Sequence, residues 1–200
     1  MVDIKIFNEW DISDVVVKDL GLKNYLTLTP NLTCHTHGRH EHKRFKKSQL
    51  NVVERFINRL MVPGVSRKKQ GGRQAHCLSG KKLRTTKVVD NCFKIIHLKT
   101  GKNPVQILVS AIENSAPREE TTRISYGGIA YQQSVDIAPQ RRVDLALKYI
   151  IEPLWRKSFN NISSMEEMIA NELMAAAAGD SKSTAVKKKE EKERIAASAR

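Results

Sequence analysis

The apolar residues of this chain recur at helical spacing over most of its length, which limits the fold to a mainly helical one. Stripes of this kind run through residues 48–61 and 81–99, and Pro63-Gly64 and Gly101 follow them. Three further helix starts carry a capping residue or a proline: Asn103-Pro104, Pro139, and the overlapping capping boxes at Ser163 and Ser164. The sequence therefore predicts a domain of about six helices.

One segment departs from the helical period. Over residues 120–137 apolar and polar residues alternate on both sides of Gly127-Gly128, a pair typical of a two-residue hairpin turn. We therefore expect a mainly α fold from which one two-stranded β-ribbon protrudes. The residues predicted to build the helical core are Leu50, Val53, Phe56, Ile57, Leu60, Val89, Cys92, Phe93, Ile96, Leu108, Ile112, Leu147 and Ile150.

The positive charge of the chain is concentrated in one stretch. Its 35 Lys and Arg against 21 Asp and Glu give a net charge of +14. Residues 39–102 hold 18 basic and 3 acidic side chains, whereas residues 1–38 hold 3 and 5 and residues 103–200 hold 14 and 13. Because so few carboxylates lie in this stretch, phosphate contacts are the natural use of its charge. A merely solubilising surface is the alternative.

We divide the chain into three parts. Residues 1–47 form an N-terminal extension that ends in a basic, His-rich loop, and residues 48–179 form a helical RNA-binding domain with the β-hairpin at 120–137. Residues 180–200 form a charged C-terminal tail or helix. The segment 184–200 has too few large apolar residues to hold it on the domain, so we expect a partner to order it.

No motif for catalysis stands out, and we expect neither enzyme activity nor a cofactor. A cysteine and four histidines lie within residues 34–42, with His76 and Cys77 further on. No metal is predicted, because the second Cys/His pair of a structural zinc site is missing at a conventional distance. The adjacent carboxylates Glu119 and Glu120 are expected to be solvated rather than a general acid/base pair.

The termini and cysteines point to the cell interior. Three scattered cysteines give no disulfide framework, and the N-terminus lacks the basic and apolar regions of a secretory signal. No apolar run reaches the roughly 20 residues that a membrane span needs. We therefore expect an intracellular protein without a membrane partner.

The order of these elements resembles the universal S-seven family of the small ribosomal subunit, in its eukaryotic S-five form. The stretches that carry the resemblance are VVERF (52–56), GKKL (80–83), IIHLKTGKNP (95–104), AIEN (111–114), PREETTRI (117–124) and VDIAPQRRV (135–143). The flanking stretches DIKIF (3–7), KKKE (187–190) and ERIAASAR (193–200) extend it over nearly the whole chain.

The resemblance implies a structural constituent of the small subunit that binds the 3′ major (head) domain of its rRNA and nucleates head assembly. It implies that the ribbon and the C-terminus face the exit-site tRNA and mRNA. Neighbouring head and platform proteins are the implied protein partners, without homo-oligomerisation. The implied location is the cytoplasmic ribosome, with a nucleolar stage during assembly if the source is eukaryotic.

Two groups of site residues follow. The basic stretch predicts twelve rRNA-binding residues: Arg39, Lys43, Arg44, Lys46, Lys47, Arg67, Lys68, Lys69, Arg73, Lys81, Lys82 and Arg84. The resemblance implies three more: Arg118, Arg141 and Arg142. The tRNA- and mRNA-facing residues are Arg123, Tyr126, Gly127, Gly128, Tyr131, Arg194 and Arg200. For Tyr126 and Tyr131, stacking on single-stranded nucleic acid and contact with the core remain alternatives.

Two other function classes stay open from the residues alone. Helices followed by a glycine-tipped hairpin could be a winged-helix-like DNA-binding protein, although the charge is spread through loops and helix ends, as recognition of RNA shape favours. A metal-dependent enzyme that uses the histidine cluster is the third hypothesis. The basic, glycine-containing segment 65–80 predicts a flexible loop that contacts RNA.

Overall fold

A computed structural model describes residues 4–62, 78–158 and 160–200 of the chain. Within these residues the fold has seven α-helices and one pair of strands, which confirms the mainly α class with a two-stranded ribbon. In chain order they are α1 (Leu20–Lys23), α2 (Val52–Leu60), α3 (Lys82–Thr100), α4 (Pro104–Ser115), β1 (Glu119–Tyr126), β2 (Ile129–Asp136), α5 (Pro139–Lys157), α6 (Met165–Ala177) and α7 (Thr184–Ser198). None of the helices in the described residues is long and apolar enough to cross a membrane.

Polar side chains cap the starts of five helices among the described residues, α1, α2, α4, α6 and α7. The side chain of Asn103 accepts a hydrogen bond from the Val105 amide at the start of α4 (3.0 Å), as the sequence predicts. Of the two overlapping capping boxes, the one formed by Ser164 and Glu167 begins α6. The predicted start of α2 at residue 48 is wrong, because two turns of 3-10 helix, Arg39–His42 and Lys46–Gln49, precede it. Asn51 caps α2 instead, accepting from the Val53 amide (2.8 Å).

The core lies where α6 packs against α3, α4 and α5. All thirteen residues predicted to build it are buried, which confirms the helical stripes seen in the sequence. Phe56, Phe93 and Ile150 are among the largest side chains with no solvent exposure. Burial of such side chains is the main favourable term in folding, at about 1.5–3 kcal/mol each.

The N-terminal extension lies on the helices and shares their core. Ile6, Leu22 and Leu26 are buried in the same cluster as the helical residues. Two side chains of α4 fix the path of the extension. Gln106 accepts a hydrogen bond from the Val16 amide (2.8 Å) and donates one to the Val16 carbonyl (3.1 Å). Glu113 accepts hydrogen bonds from the amides of Lys18 and Asp19. The extension therefore belongs to the folded body.

The C-terminal segment is a helix that packs on its own domain, so the expectation that only a partner orders it is wrong. Helix α7 contacts α4, α5, α6 and both strands. Its buried residues are small, Ala185, Val186 and Ala196, which explains why the count of large apolar residues misjudged it. Polar contacts add to this docking, because Glu172 of α6 accepts hydrogen bonds from the first residues of α7.

Candidate RNA interface

The segment 39–47 presents cations to solvent on a folded turn. Arg39, Lys43 and Arg44 are exposed, and the Arg44 guanidinium lies 5.0 Å from the centre of the Phe45 ring. The single carboxylate of the segment, Glu41, contacts the His40 ring (2.9 Å) and leaves these cations unneutralised. The His-rich loop is thus an ordered, strongly basic surface.

A buried carboxylate ties this segment to the helices. Glu54 of α2 is fully buried and accepts hydrogen bonds from the amide and hydroxyl of Thr36 (2.9 Å each) and from the Lys82 ammonium (2.7 Å). Burial raises the pKa of Glu54, but the Lys82 and Thr36 hydrogen bonds outweigh it, so the pKa lies below its ordinary value. Lys82, predicted to bind rRNA, therefore neutralises a buried charge within the protein.

A second ion pair fixes the other end of the segment. Asp144 of α5 accepts from the buried Arg55 guanidinium (2.9 Å) and from the ammonium of Lys47. Arg55 also donates to the Tyr25 carbonyl (2.9 Å). Lys47, a predicted rRNA contact, is thereby held against the body, although its side chain stays partly exposed.

The remaining predicted cations of the basic stretch divide into two groups. Lys81 and Arg84 are exposed at the start of α3, and Lys46 is half-buried beside Gln49. The other predicted contacts lie outside the described residues: Arg67, Lys68, Lys69 and Arg73. The predicted flexible loop at 65–80 lies outside them as well, apart from its last three residues.

The base of the ribbon is an ion-pair network. Glu120 accepts two hydrogen bonds from the Arg141 guanidinium (2.7 and 3.2 Å) and one from Lys192 of α7 (3.2 Å). The expectation that this carboxylate is solvated is wrong, because its side chain is only 15% exposed. Arg142 donates to Asp19 (2.8 Å) and is 11% exposed, whereas the Arg118 side chain is exposed to solvent.

The tip of the ribbon stands free of the core. Gly127 and Gly128 have φ values of 57° and 82°, the left-handed backbone that the two-residue turn requires. Tyr126 is 82% exposed and Tyr131 is 56% exposed, which removes core contact as the alternative for these rings. Arg123 pairs with Gln132 across the strands and faces solvent as well.

Helix α7 braces the ribbon, and the chain end that follows it brings Arg200 beside β1. Glu193 accepts a hydrogen bond from the Arg118 amide (2.9 Å), and the Ser134 amide donates to the Ala199 carbonyl (3.3 Å). Arg200 pairs with Glu119 of β1, while Arg194 is exposed. The ribbon base and the C-terminus therefore form one surface.

Comparison with known proteins decides the family. The sequence model described as "Ribosomal protein S7p/S5e" matches residues 24–200. This chain belongs to that family. Proteins named small ribosomal subunit protein uS7 are similar to it over almost their full length. The protein from Methanothermobacter thermautotrophicus is 50% identical to this chain, and the match covers 97% of this chain and 98% of that protein. The protein from Methanosphaera stadtmanae is 47% identical, and the match covers 99% of this chain and 100% of that protein. The Haloarcula marismortui protein is 47% identical over 98% of this chain and 88% of its own.

Membership of the S7p/S5e family confirms the resemblance seen in the sequence. The family is structural and non-enzymatic, so it displaces both the winged-helix and the metal-dependent enzyme alternatives. The three relatives are archaeal, and they lend no support to a nucleolar stage of assembly.

Among the residues that the structure describes, the cysteine and histidines of the His-rich segment are not gathered as metal ligands. In residues 4–62, 78–158 and 160–200 no three His, Cys, Asp or Glu side chains are placed to hold an ion. Burial, with a contribution from nearby Glu54, raises the pKa of the Cys34 thiol to about 11. Cys34 is therefore a protonated core residue, and His76 and Cys77 lie outside the described residues.

Sequence reasoning missed the carboxylates that position the basic groups. Two of these carboxylates, Glu120 and Asp144, each contact two cationic side chains. The third, Glu54, contacts the Lys82 ammonium and the loop residue Thr36. The cationic partners of all three lie 21 to 97 residues away along the chain. No local pattern carries such a pairing. The one usable signal for Glu54 is its position among apolar residues of the α2 stripe.

Proposed function

We propose that this protein is a structural constituent of the small ribosomal subunit that binds the head domain of its rRNA and nucleates assembly of the head. The observation that carries the proposal is the exposed positive charge of Arg39, Lys43 and Arg44, which lie in the segment 39–47 and pair with no carboxylate among the described residues. Family membership supports it, since the similar proteins are named for the small subunit.

The charge arrangement favours binding to a folded RNA backbone. Exposed cations sit on turns and at a helix start rather than along one face of one helix, and phosphates of a folded RNA match such a spread. Arg39, Lys43, Arg44, Lys81 and Arg84 are the proposed phosphate contacts. Lys47, Lys82 and Arg142 act mainly by holding the segment and the ribbon base, because each binds a carboxylate of the protein.

The ribbon is the proposed contact for exit-site tRNA and mRNA. Its tip offers two exposed tyrosine rings beside a single cation, a set suited to stacking on unpaired bases. Arg194 is exposed on α7, which braces the ribbon base, and Arg200 follows α7 and pairs with Glu119 while staying mostly exposed; both are proposed to extend this surface. Head and platform proteins are the proposed neighbours in a subunit that holds one copy of the chain.

Salt dependence of binding tests the rRNA part of the proposal. With about six to ten phosphate contacts, affinity for head-domain rRNA falls by roughly 10³–10⁵ between about 50 and 200 mM salt. A triple variant, Arg39→Gln, Lys43→Gln and Arg44→Gln, lowers the salt slope by up to about 2.7. The control variant removes the same charge at exposed sites elsewhere on the body: Lys18→Gln, Lys23→Gln and Lys182→Gln.

The two variants separate a local interface from net charge. We expect the control to bind with nearly the slope of the unmodified chain, because its lysines lie outside the basic segment. Equal slopes for the two variants would show that the segment 39–47 is no interface. Binding that does not respond to salt would contradict phosphate recognition altogether.

A further inference from the structure

A cleft of about 420 Å³ opens beside the basic segment and has the size of a small-ligand site. It lies between residues 31–37 and the two 3-10 turns. Its lining includes the imidazoles of His35 and His37, the amides of Asn31 and Gln49, and the cations of Arg39 and Lys46. No carboxylate among the described residues lines this cleft, so its interior favours a ligand that carries negative charge.

Buried hydrogen bonds hold the walls of the cleft in place. Asn51 donates to the Thr29 carbonyl (2.5 Å) and caps α2, and Glu54 binds Thr36. The His37 amide donates to Nδ1 of the His35 ring (3.0 Å), which leaves the proton of a neutral His35 ring on Nε2. The centres of the His35 and His37 rings are 4.2 Å apart. The planes of the two rings are tilted by 46°, so each exposed imidazole offers its own face to a ligand in the cleft.

The polar lining has unused hydrogen-bonding capacity. The side chains of Asn31, Arg39, Lys46 and Gln49 make no hydrogen bond or ion pair with any residue that the structure describes. An amide offers a donor and an acceptor together, and a guanidinium or ammonium offers donors alone. A nucleotide is recognised by three elements: a flat ring that stacks on the base, hydrogen-bond donors and acceptors that face the edge of the base, and cations that bind the phosphate.

We propose that this cleft binds one unpaired adenosine nucleotide of RNA. The base stacks on the exposed face of one of the two imidazoles, Asn31 and Gln49 read its edge, and Arg39 and Lys46 hold its phosphate. Adenine fits because it presents an acceptor and a donor side by side, which amide side chains match in pairs. The proposal rests on the proposed RNA-binding function and adds a base-specific site to it.

Short RNAs test the cleft with the full chain. The probes are labelled uridine RNA with one central adenosine, the all-uridine RNA and the same RNA with an abasic centre, compared by fluorescence anisotropy. We expect the adenosine RNA to bind about tenfold more tightly than the other two. The double variant Asn31→Ala and Gln49→Ala reduces that preference below about twofold and keeps the salt slope. Asn24→Ala removes an exposed amide outside the cleft and leaves the preference intact.

Each remaining outcome decides against one proposal. Equal affinity for the three RNAs, or failure of all three to bind while head-domain rRNA binds, overturns the adenosine site and leaves the rRNA proposal standing. Loss of preference in the Asn24→Ala variant also overturns it. If neither the short RNAs nor the head-domain rRNA bind, the proposed function itself fails.

Discussion

One buried carboxylate of α6 holds the start of helix α7, and replacing Glu172 by alanine measures its contribution to the docking of that helix. The Glu172 side chain is 3% exposed and accepts from the Ser183 hydroxyl and from the amide and hydroxyl of Thr184, at 2.8 Å each. It also accepts from the Lys157 ammonium (2.8 Å). One side chain therefore satisfies the start of α7 and pairs with a cation of α5.

The cost of the substitution follows from these contacts. Glu172→Ala leaves Lys157 and the first donors of α7 without an acceptor, and removal of one partner of a buried pair costs about 3–5 kcal/mol. Lys157 is 39% exposed and can turn to water, so we expect a loss near the lower end, about 3 kcal/mol, in the free energy of unfolding. Glu172→Gln keeps an acceptor for α7 and removes only the charge, so its expected loss is about 2 kcal/mol.

Denaturant unfolding and amide hydrogen exchange measure these effects. We expect Glu172→Ala to lower the protection of the amides in the first turn of α7 before the rest of the chain opens, because the start of α7 loses the hydrogen bonds that join it to α6. Glu191→Ala, at a carboxylate of α7 that makes no ion pair with the described residues, is the control and changes stability by less than about 0.5 kcal/mol. If Glu172→Ala matches this control in stability and in α7 protection, the buried carboxylate does not dock the helix.

Three further predictions concern acid, the core and the ribbon. Burial raises the pKa of Glu172, but hydrogen bonds from Lys157, Thr184 and Ser183 outweigh it and the pKa lies below the ordinary 4.5. The contribution of Glu172 to the free energy of unfolding is therefore complete above pH 4.5, the ordinary pKa, and is lost as the pH falls through the lower pKa of the folded state. We expect the stability of a Glu172→Gln variant to fall less steeply than that of the unmodified chain when both are unfolded across this pH range. Phe93→Ala costs about 3–5 kcal/mol in urea unfolding, whereas Leu98→Ala at an exposed site of α3 costs little. Deletion of residues 125–131 leaves rRNA affinity and head assembly nearly intact but weakens exit-site tRNA binding; loss of head assembly would contradict this division of roles.

The spacing of apolar residues predicted the helices because each helix buries one face, and this burial fixes the spacing within a short stretch of sequence. The α3 stripe ends at Gly101 in the structure, and Asn103 caps α4, as the sequence indicates. The start of α2 differs for a local reason: Ser48 donates to the Phe45 carbonyl (2.7 Å) in a 3-10 turn, so its hydroxyl caps no helix. Competing side-chain hydrogen bonds of this kind are hard to separate from helix caps in a sequence.

The candidate site was predictable in charge and only partly in geometry. The sequence alone identified the basic stretch 39–102, which includes the segment 39–47, by its concentration of cations, because an excess of charge is visible in composition. The pairing of Lys82 with Glu54 and of Arg141 with Glu120 was not visible, because the fold brings these residues together from distant positions. The docking of α7 was not predicted either, because the sequence analysis counted large apolar side chains, whereas α7 packs through small residues and through contacts with a distant carboxylate.

Cosedimentation tests the central claim, that this chain is a constituent of the small ribosomal subunit. The full chain is mixed with small subunits that lack their S7p/S5e protein and is centrifuged through sucrose at high salt, where weak phosphate contacts are screened. We expect one copy per subunit in the subunit fraction, and a weaker yield for the triple variant of the segment 39–47. A chain that stays at the top of the gradient, or that binds many copies per subunit until salt removes them all, would contradict that claim.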